Sequence, residues 1–230
     1  MGALLTADDE TRITPAIEDY LKAIYQLGQD EPDLGAVTGS RLAERLGVAP
    51  PSVTNMVKRL CELNLAEHER YRGIFLTASG ERIALEVVRH HRLLEQYLVE
   101  ALGFSWDEVH DEAERLEHHI SEALEARMAA ALGDPTVDPH GDQIPGPDGS
   151  MIPMEQRRLL DLPPGQTAVV SRVSDRDPER LRYLEQIGIM PGTRITMLET
   201  LPFDGPLRLA VAGSERIIGR SLGAIVQVAP

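Results

Sequence analysis

The sequence predicts an α+β chain with three parts in order: a winged helix-turn-helix, a mainly helical middle region and a C-terminal SH3-like small β-barrel. Three observations carry this. Two short helical patterns joined by a tight turn run into a hairpin signal before residue 77. Helical periodicity then dominates from Ala78 to about Ala131, and beyond Leu159 it gives way to short β-like runs separated by turn residues.

Each element has its own local reason. From Thr14 to about Leu27 the residues Ile17, Leu21, Ile24, Tyr25 and Leu27 recur at helical spacing, after a Thr-Pro start signal. A polar loop, GQDEPDLG, follows. Ser40 opens SRLAERLGV, with Leu42, Ala43 and Leu46 on one face and Gly47 as the stop. After Ala49, Pro50 and Pro51, Ser52 is the expected cap of a third helix that turns Val53, Met56, Val57, Leu60 and Leu63 inward. The segment LAEHERYRGIFLT reads as two short strands around Arg72-Gly73. A long helix is expected over Ala78–Leu102 and another from about Ser105 to Ala131. Between Gly133 and Pro153 proline and glycine are dense enough to mark a linker. TAVVSRV, TRITMLE, LRLAVAG and AIVQVAP then supply strands, interrupted by one helical piece, PERLRYLEQIG.

The 230 residues are 42% hydrophobic and 26% charged, ordinary values for a globular chain, and no apolar run nears the roughly 20 residues that span a bilayer. The opening MGALLTADDE is acidic where a signal peptide is basic, and the single Cys61 cannot form a disulfide framework, so a reducing cytoplasmic location is expected. A net charge of −14 argues against broad affinity for nucleic acid or anionic membrane. It leaves room for sequence-specific DNA binding through one locally basic element. Gly35 to Phe75 is such an element, with six Lys/Arg against four Glu.

The third helix exposes Ser52, Thr54, Asn55, Lys58 and Arg59, and the hairpin carries Arg70, Tyr71 and Arg72. Hydroxyls and cations suit phosphates, Asn suits an adenine edge and Arg a guanine edge. Thr38, just before the first helix of the pair, joins the expected DNA contacts. The alternative at this point is a small helical domain that binds protein.

Five of the seven histidines lie between positions 90 and 119, among carboxylates. At about 100° per residue, His110, Glu114, Glu117 and His118 share roughly a third of a helical turn, and His91 and Glu95 share a face of the preceding helix. Carboxylates stacked in this way repel one another unless a cation neutralises them. A solvated acidic face with incidental histidines is the bland alternative. A metalloenzyme is the rival from another class, but there is no His-Glu-x-x-His, no phosphate-cradling glycine loop and no evident nucleophile, so no enzymatic activity and no small-molecule substrate are expected. His140 is expected to do no more than cap a turn in the linker.

The combination TPAIEDYLKAIYQL, a winged helix-turn-helix, RHHRLLEQYL, HDEAERLEHH and DPHGDQIPG resembles the diphtheria-toxin-repressor (iron-dependent-repressor) family of metal-dependent transcription regulators, in its long form. The resemblance covers essentially the whole chain. It implies a DNA-binding domain over residues 1–77, a helical metal-binding and dimerisation domain over 78–153 ending in the linker, and an SH3-like (FeoA-like) domain over 154–230. It places a regulatory metal site on Asp19, Glu114, Glu117 and His118. The Asp and Glu at the first two positions match the manganese-responsive branch, where the iron branch has Met and Cys; a harder, oxygen-rich donor set suits manganese. It places an ancillary site on His91, Glu95 and His110, completed from the C-terminal domain by Asp177 and Glu179. Lys22 stands where short manganese regulators carry a second glutamate.

The function so implied is a Mn²⁺-dependent regulator, usually a repressor, that binds palindromic double-stranded operator DNA as a homodimer and controls metal-uptake genes. An Fe²⁺-responsive regulator of the same fold is the alternative cofactor reading, and other divalent transition metals would bind in vitro. A metal cation joining Asp19 to the other three ligands would fix the angle between DNA-reading and dimerisation domains, and so the spacing of two recognition helices. A storage or adaptor role for the SH3-like domain, binding a proline-rich segment such as its own IPGPDGSMIP, is a further alternative.

Overall fold

The computed structural model describes residues 13–30 and 36–230. The acidic opening and most of the GQDEPDLG loop lie outside them. The chain divides into two units, the first comprising the residues up to His90 together with 145–149, the second 91–144 together with 150–230. The division falls inside the long helix.

In the first unit, α1 (Pro15–Asp30) buries Ile17, Leu21, Ile24 and Leu27. Next, α2 (Gly39–Leu46) starts one residue before Ser40, because the Thr38 hydroxyl accepts from the Arg41 backbone N–H and caps it. It ends at Gly47, whose left-handed φ of 63° lets its N–H turn back to Ala43 and Glu44 carbonyls. The following helix α3 (Pro50–Glu62) corrects the expectation that Ser52 caps it: Ala49 is the cap residue and both prolines sit in the first turn. Proline is well suited there because first-turn N–H groups have no helical acceptor to lose. Leu42, Val53, Val57 and Leu60 are buried together with α1.

Strands β1 (Ala66–Glu69) and β2 (Gly73–Leu76) pair antiparallel from Ala66↔Leu76 to Glu69↔Gly73, and Val37 bridges Ile74 on the other side of β2. The helix α4 (Ala78–Leu102) enters beside β1 at Gly80, where a Cβ would lie 2.0 Å from the Leu65 carbonyl oxygen.

The second unit holds the later part of α4, then α5 (Val109–Leu116) and α6 (Glu122–Ala131), around Leu93, Leu94, Ala113, Met128 and Ala129. One continuous helix from Ser105 to Ala131 does not form. The chain leaves α5 at Glu117, and the Ser121 hydroxyl accepts from Leu124 N–H to start α6 afresh.

The Pro/Gly-rich stretch also differs from a free linker. Asp138, His140, Asp142 and Ile144 are buried. One Asp138 oxygen accepts from the His140 and Asp142 backbone N–H groups, both at 2.9 Å, and Val173 N–H donates to the His140 carbonyl. Arg92 and Arg172 hold the Asp142 carboxylate from two sides, at 3.0 and 2.8 Å.

The C-terminal part is an SH3-like antiparallel sheet in the order β3-β8-β4-β5-β6-β7: β3 (Arg157–Arg158), β4 (Thr167–Val173), β5 (Arg194–Thr200), β6 (Leu207–Val211), β7 (Ser214–Ile218) and β8 (Val226–Ala229). Bulges between Val170 and Arg172 and between Met197 and Glu199 bend it. Helix α7 (Pro178–Gln186) drops Leu181 and Leu184 into the core with Val170, Val173, Ile195, Met197 and Trp106.

Candidate metal centre

Within the second unit, α4 and α5 bring ionisable side chains together out of water. From α4 come His91 and Glu95, one turn apart on a single face; from the start of α5 comes His110; from the loop after β4 comes Asp175. Four donor atoms converge. His91 Nε2 lies 3.0 Å from Glu95 Oε1 and 3.2 Å from His110 Nδ1, which is 3.3 Å from Glu95 Oε1 and 3.2 Å from Asp175 Oδ2. Donors on one first-row cation at about 2.1 Å stand roughly 3.0–3.4 Å apart, so the set has the spacing of a coordination shell. Two ring nitrogens that face each other at 3.2 Å need a proton or a cation between them. The residues present fit a divalent transition metal with mixed imidazole and carboxylate donors.

The electrostatics of these groups are tightly linked. Burial opposes a charged His110, but hydrogen bonds to Asp175 and Glu95 outweigh it and hold its pKa up to about 10. Burial would raise Glu95, yet the His91 charge, the hydrogen bonds with His110 and His91, and His140 close behind it keep it well below the carboxylate range. Asp175 behaves in the same way, with the His110 hydrogen bond overcoming burial.

Asp177 and Glu179 are not brought to this cluster. Asp177 is the N-cap of α7: its carboxylate accepts from the Glu179 and Arg180 backbone N–H groups and pairs with the Arg180 side chain at 3.0 Å. Glu179 is exposed. The C-terminal donor is Asp175, two residues earlier. The sequence carried a usable signal: an Asp directly before a helix-opening Pro is committed to capping, which leaves the other Asp of SDRDPER for chemistry.

A second group lies on the other side of His91. Its Nδ1 is 2.5 Å from Glu117 Oε2 and 3.8 Å from Glu114 Oε1, while Glu117 Oε1 is 3.5 Å from His118 Nε2. Glu117 is fully buried and the Glu114 side chain 41% exposed. Glu117 and His118 sit where α5 stops, so the turn between α5 and α6 aims them as much as helical periodicity does. Asp19 lies in the first unit, partly buried on α1, and Lys22 is buried one turn further on.

His140 was missed. It is fully buried, stacks on Trp106, and its Nε2 lies 2.6 Å from the Trp106 carbonyl oxygen, with Nδ1 turned to Glu95. A histidine between two aspartates in an otherwise turn-forming stretch, DPHGD, was the available sign.

In the first unit, Ser52, Thr54, Asn55, Lys58 and Arg59 are exposed along one side of α3. The Thr54 hydroxyl donates to the Pro50 carbonyl, and Lys58 stands 3.8 Å from Glu62 with both largely in solvent. At the wing tip Tyr71 is 91% exposed with φ 68°, and the Arg70 guanidinium sits 4.9 Å over its ring. Arg72 pairs with Glu69 at 2.6 Å, and the Thr38 hydroxyl is engaged as the α2 cap.

Comparison with known proteins places this architecture. The iron dependent repressor N-terminal DNA binding domain matches residues 12–74, the iron dependent repressor metal binding and dimerisation domain matches 77–146, and the FeoA domain matches 157–230. The iron-dependent repressor IdeR of Mycobacterium leprae is 37% identical over 215 residues, which is 87% of this chain and 90% of that one. The HTH-type transcriptional regulator MntR of Bacillus subtilis is 39% identical over 108 residues, 47% of this chain and 73% of that one. A solved manganese-dependent transcriptional repressor in complex with manganese is 40% identical, with a TM-score of 0.85 over 93% of this chain and 99% of that one. The structure of the manganese regulator SloR is 30% identical, with a TM-score of 0.77 over 94% and 99%. Among the described residues no helix is long and apolar enough to cross a membrane. With all three domain models in order along it, the chain belongs to the iron-dependent repressor family of metal-responsive, DNA-binding transcription regulators and not to a family of enzymes.

Proposed function

We propose that this chain is a Mn²⁺-responsive repressor of the cytoplasm that binds palindromic operator DNA as a homodimer and controls metal-uptake genes. The observation that carries the metal reading is the donor set. Glu114, Glu117 and His118 with Asp19 offer carboxylate oxygens and one imidazole, with no thiol or thioether among them, and hard donors favour Mn²⁺ over softer ions. Asp19 is assigned as fourth ligand by resemblance to the manganese-responsive branch. His91, Glu95, His110 and Asp175 form the ancillary site. A cation there neutralises buried carboxylates, while the regulatory cation selects the DNA-competent pose, so metal and operator each tighten the other.

DNA contacts are assigned to Ser52, Thr54, Asn55, Lys58 and Arg59 on α3, to Arg70 and Arg72 on the wing, and to Thr38 at the α2 cap. An Fe²⁺-responsive regulator is the second reading, favoured by 37% identity to an iron-dependent repressor over most of both chains.

The test is to incubate metal-stripped protein with fragmented genomic DNA and Mn²⁺, anaerobic Fe²⁺, Zn²⁺ or chelator, and to sequence what is retained. Palindromic sites enriched with Mn²⁺ and lost with chelator are expected. Enrichment mainly with Fe²⁺ moves the assignment to iron, and metal-independent retention by Asp19→Ala or Glu117→Ala protein defeats the mechanism. In the variant with Asp19→Met and Glu114→Cys, preference should shift from Mn²⁺ to Fe²⁺.

A further inference from the structure

We propose that Tyr71, at the tip of the wing, is a specificity-determining residue that enters the DNA minor groove and selects A·T pairs there. This rests on the DNA-binding reading above and adds to it a side chain, a groove and a base preference. Tyr71 is 91% exposed and its backbone is left-handed, with φ 68°. The Arg72 N–H donates to the Glu69 carbonyl at 3.1 Å and closes a turn in which Tyr71 is the third residue. A positive φ at that position ordinarily belongs to Gly or Asn, because a Cβ crowds the neighbouring carbonyl. The turn thus holds a bulky ring outward against its own backbone preference. Strain kept at a solvent-facing tip, where it serves no packing, points to function.

The hairpin around it is built to present that ring. At the base, Gly73 has φ 96° and a Cβ there would lie 2.4 Å from the Ala36 Cβ, so glycine is what lets β2 close on that segment. Ile74 N–H donates to the Val37 carbonyl at 2.9 Å. Nearer the tip, Arg72 is drawn back to Glu69 at 2.6 Å and stands 5.9 Å over the Phe75 ring. Arg70 goes forward instead, its guanidinium 4.9 Å over the Tyr71 ring. The apex therefore carries a flat ring with a cation held on one face.

A phosphate needs only the cation; the ring adds something in a minor groove. A narrow A·T groove concentrates negative potential and draws in the guanidinium, while the ring lies against the deoxyribose walls. The Tyr71 hydroxyl can donate to adenine N3 or thymine O2, the acceptors on the groove floor. A G·C pair puts its N2 amino group in that space, where it obstructs the ring and faces the cation. Selection is then for A·T over G·C, and it adds to what α3 reads in the major groove.

The experiment uses the full-length chain with saturating Mn²⁺ and the operator recovered by genomic enrichment. Hydroxyl-radical footprinting, which reports access to the minor groove, should show protected sugars that become accessible with Tyr71→Gly. Adenines in that window are then replaced by 2,6-diaminopurine, which adds a minor-groove amino group and leaves the major-groove edge as it was. Fluorescence anisotropy should show the unmodified protein losing about fivefold in affinity on the substituted duplex. Tyr71→Gly should bind the natural duplex about tenfold more weakly and be indifferent to diaminopurine. Its thermal midpoint should be no lower, because glycine relieves the positive φ. Unchanged affinity and footprint in Tyr71→Gly overturn the proposal, as does a protected window without A·T pairs. Weaker binding that keeps the diaminopurine penalty overturns it too, since the groove is then read by another residue. Each of these leaves the metal-dependent regulator intact. Failure of the unmodified protein to retain any DNA with Mn²⁺ or anaerobic Fe²⁺ overturns that reading and this one with it. Tyr71→Asn, which also tolerates the turn, replaces the glycine variant if circular dichroism shows it unfolded.

Discussion

Glu95 and His140 face each other inside the second unit with Oε2 and Nδ1 3.6 Å apart, both side chains fully buried and neither of these two atoms hydrogen-bonded. The other edge of the imidazole is committed, since Nε2 donates to the Trp106 carbonyl. Burial opposes a charged His140, but the Glu95 carboxylate prevails and lifts its pKa to about 10. The ring therefore stands as a positive charge behind a glutamate whose front oxygen faces the ancillary donors.

His140→Leu should remove that support. It leaves Glu95 Oε2 buried beside apolar carbon and the Trp106 carbonyl without a donor, each a loss of about 1–3 kcal/mol. Urea unfolding of the metal-stripped protein should show a lower midpoint. A variant as stable as the unmodified chain would mean that His140 does nothing for Glu95.

Gly141 makes a sharper case. Its φ is 86°, and a Cβ there would lie 1.9 Å from the Ser171 carbonyl oxygen, backbone that cannot swing aside. Gly141→Ala should cost about 3 kcal/mol or more. Gly165→Ala, at φ 82° with open space around it, should cost only about 1 kcal/mol, the strain of the left-handed conformation. Equal midpoints for the two variants would show that the loop at Gly141 yields without penalty.

These two residues also mark where reading the sequence falls short. Helical periodicity located α1 to α4 because each has one apolar face and a local stop, and alternation located β4, β5, β6 and β8. β7 escaped because Ile218 is the one residue of SERII that is buried, and β3 is two residues long. The 133–153 stretch escaped for another reason: its order comes from distant partners, Arg92 on α4 and Arg172 on β4, which composition cannot reveal. The same holds at the candidate site. His91, Glu95 and His110 were legible as helix-face pairs, whereas Asp175 and His140 reach the cluster only through tertiary folding.

Acid should loosen a particular contact in the second unit. Asp107 accepts from Arg182 on α7 at 2.8 Å. Burial would raise its pKa, but the Arg182 and Ser105 hydrogen bonds outweigh it and hold it below the ordinary value of 3.8. A depressed folded-state pKa gives stability that is present above the unfolded value and lost as pH falls through the folded one. The stability difference between the unmodified chain and Asp107→Asn should therefore be constant near neutrality and shrink below about pH 4. A difference that persists unchanged to pH 2 would assign it to packing and not to the carboxylate charge.

On α3, two neighbouring residues should separate affinity from specificity. Lys58 is 78% exposed and Glu62 stands 3.8 Å away, itself largely in solvent, so the ammonium is available to a phosphate. Asn55 is exposed one turn earlier, with an amide that can pair with an adenine edge. Lys58→Ala should weaken binding to all sequences alike and reduce the slope of log affinity against log salt by about 1. Asn55→Ala should leave that slope unchanged and cost about 1–3 kcal/mol on the preferred site alone, relaxing selection at one base pair. Salt-dependent fluorescence anisotropy on the enriched operator and on a scrambled duplex measures both. If Asn55→Ala lowers affinity for both duplexes equally, its side chain contacts the backbone, and sequence reading passes to Arg59 and the wing.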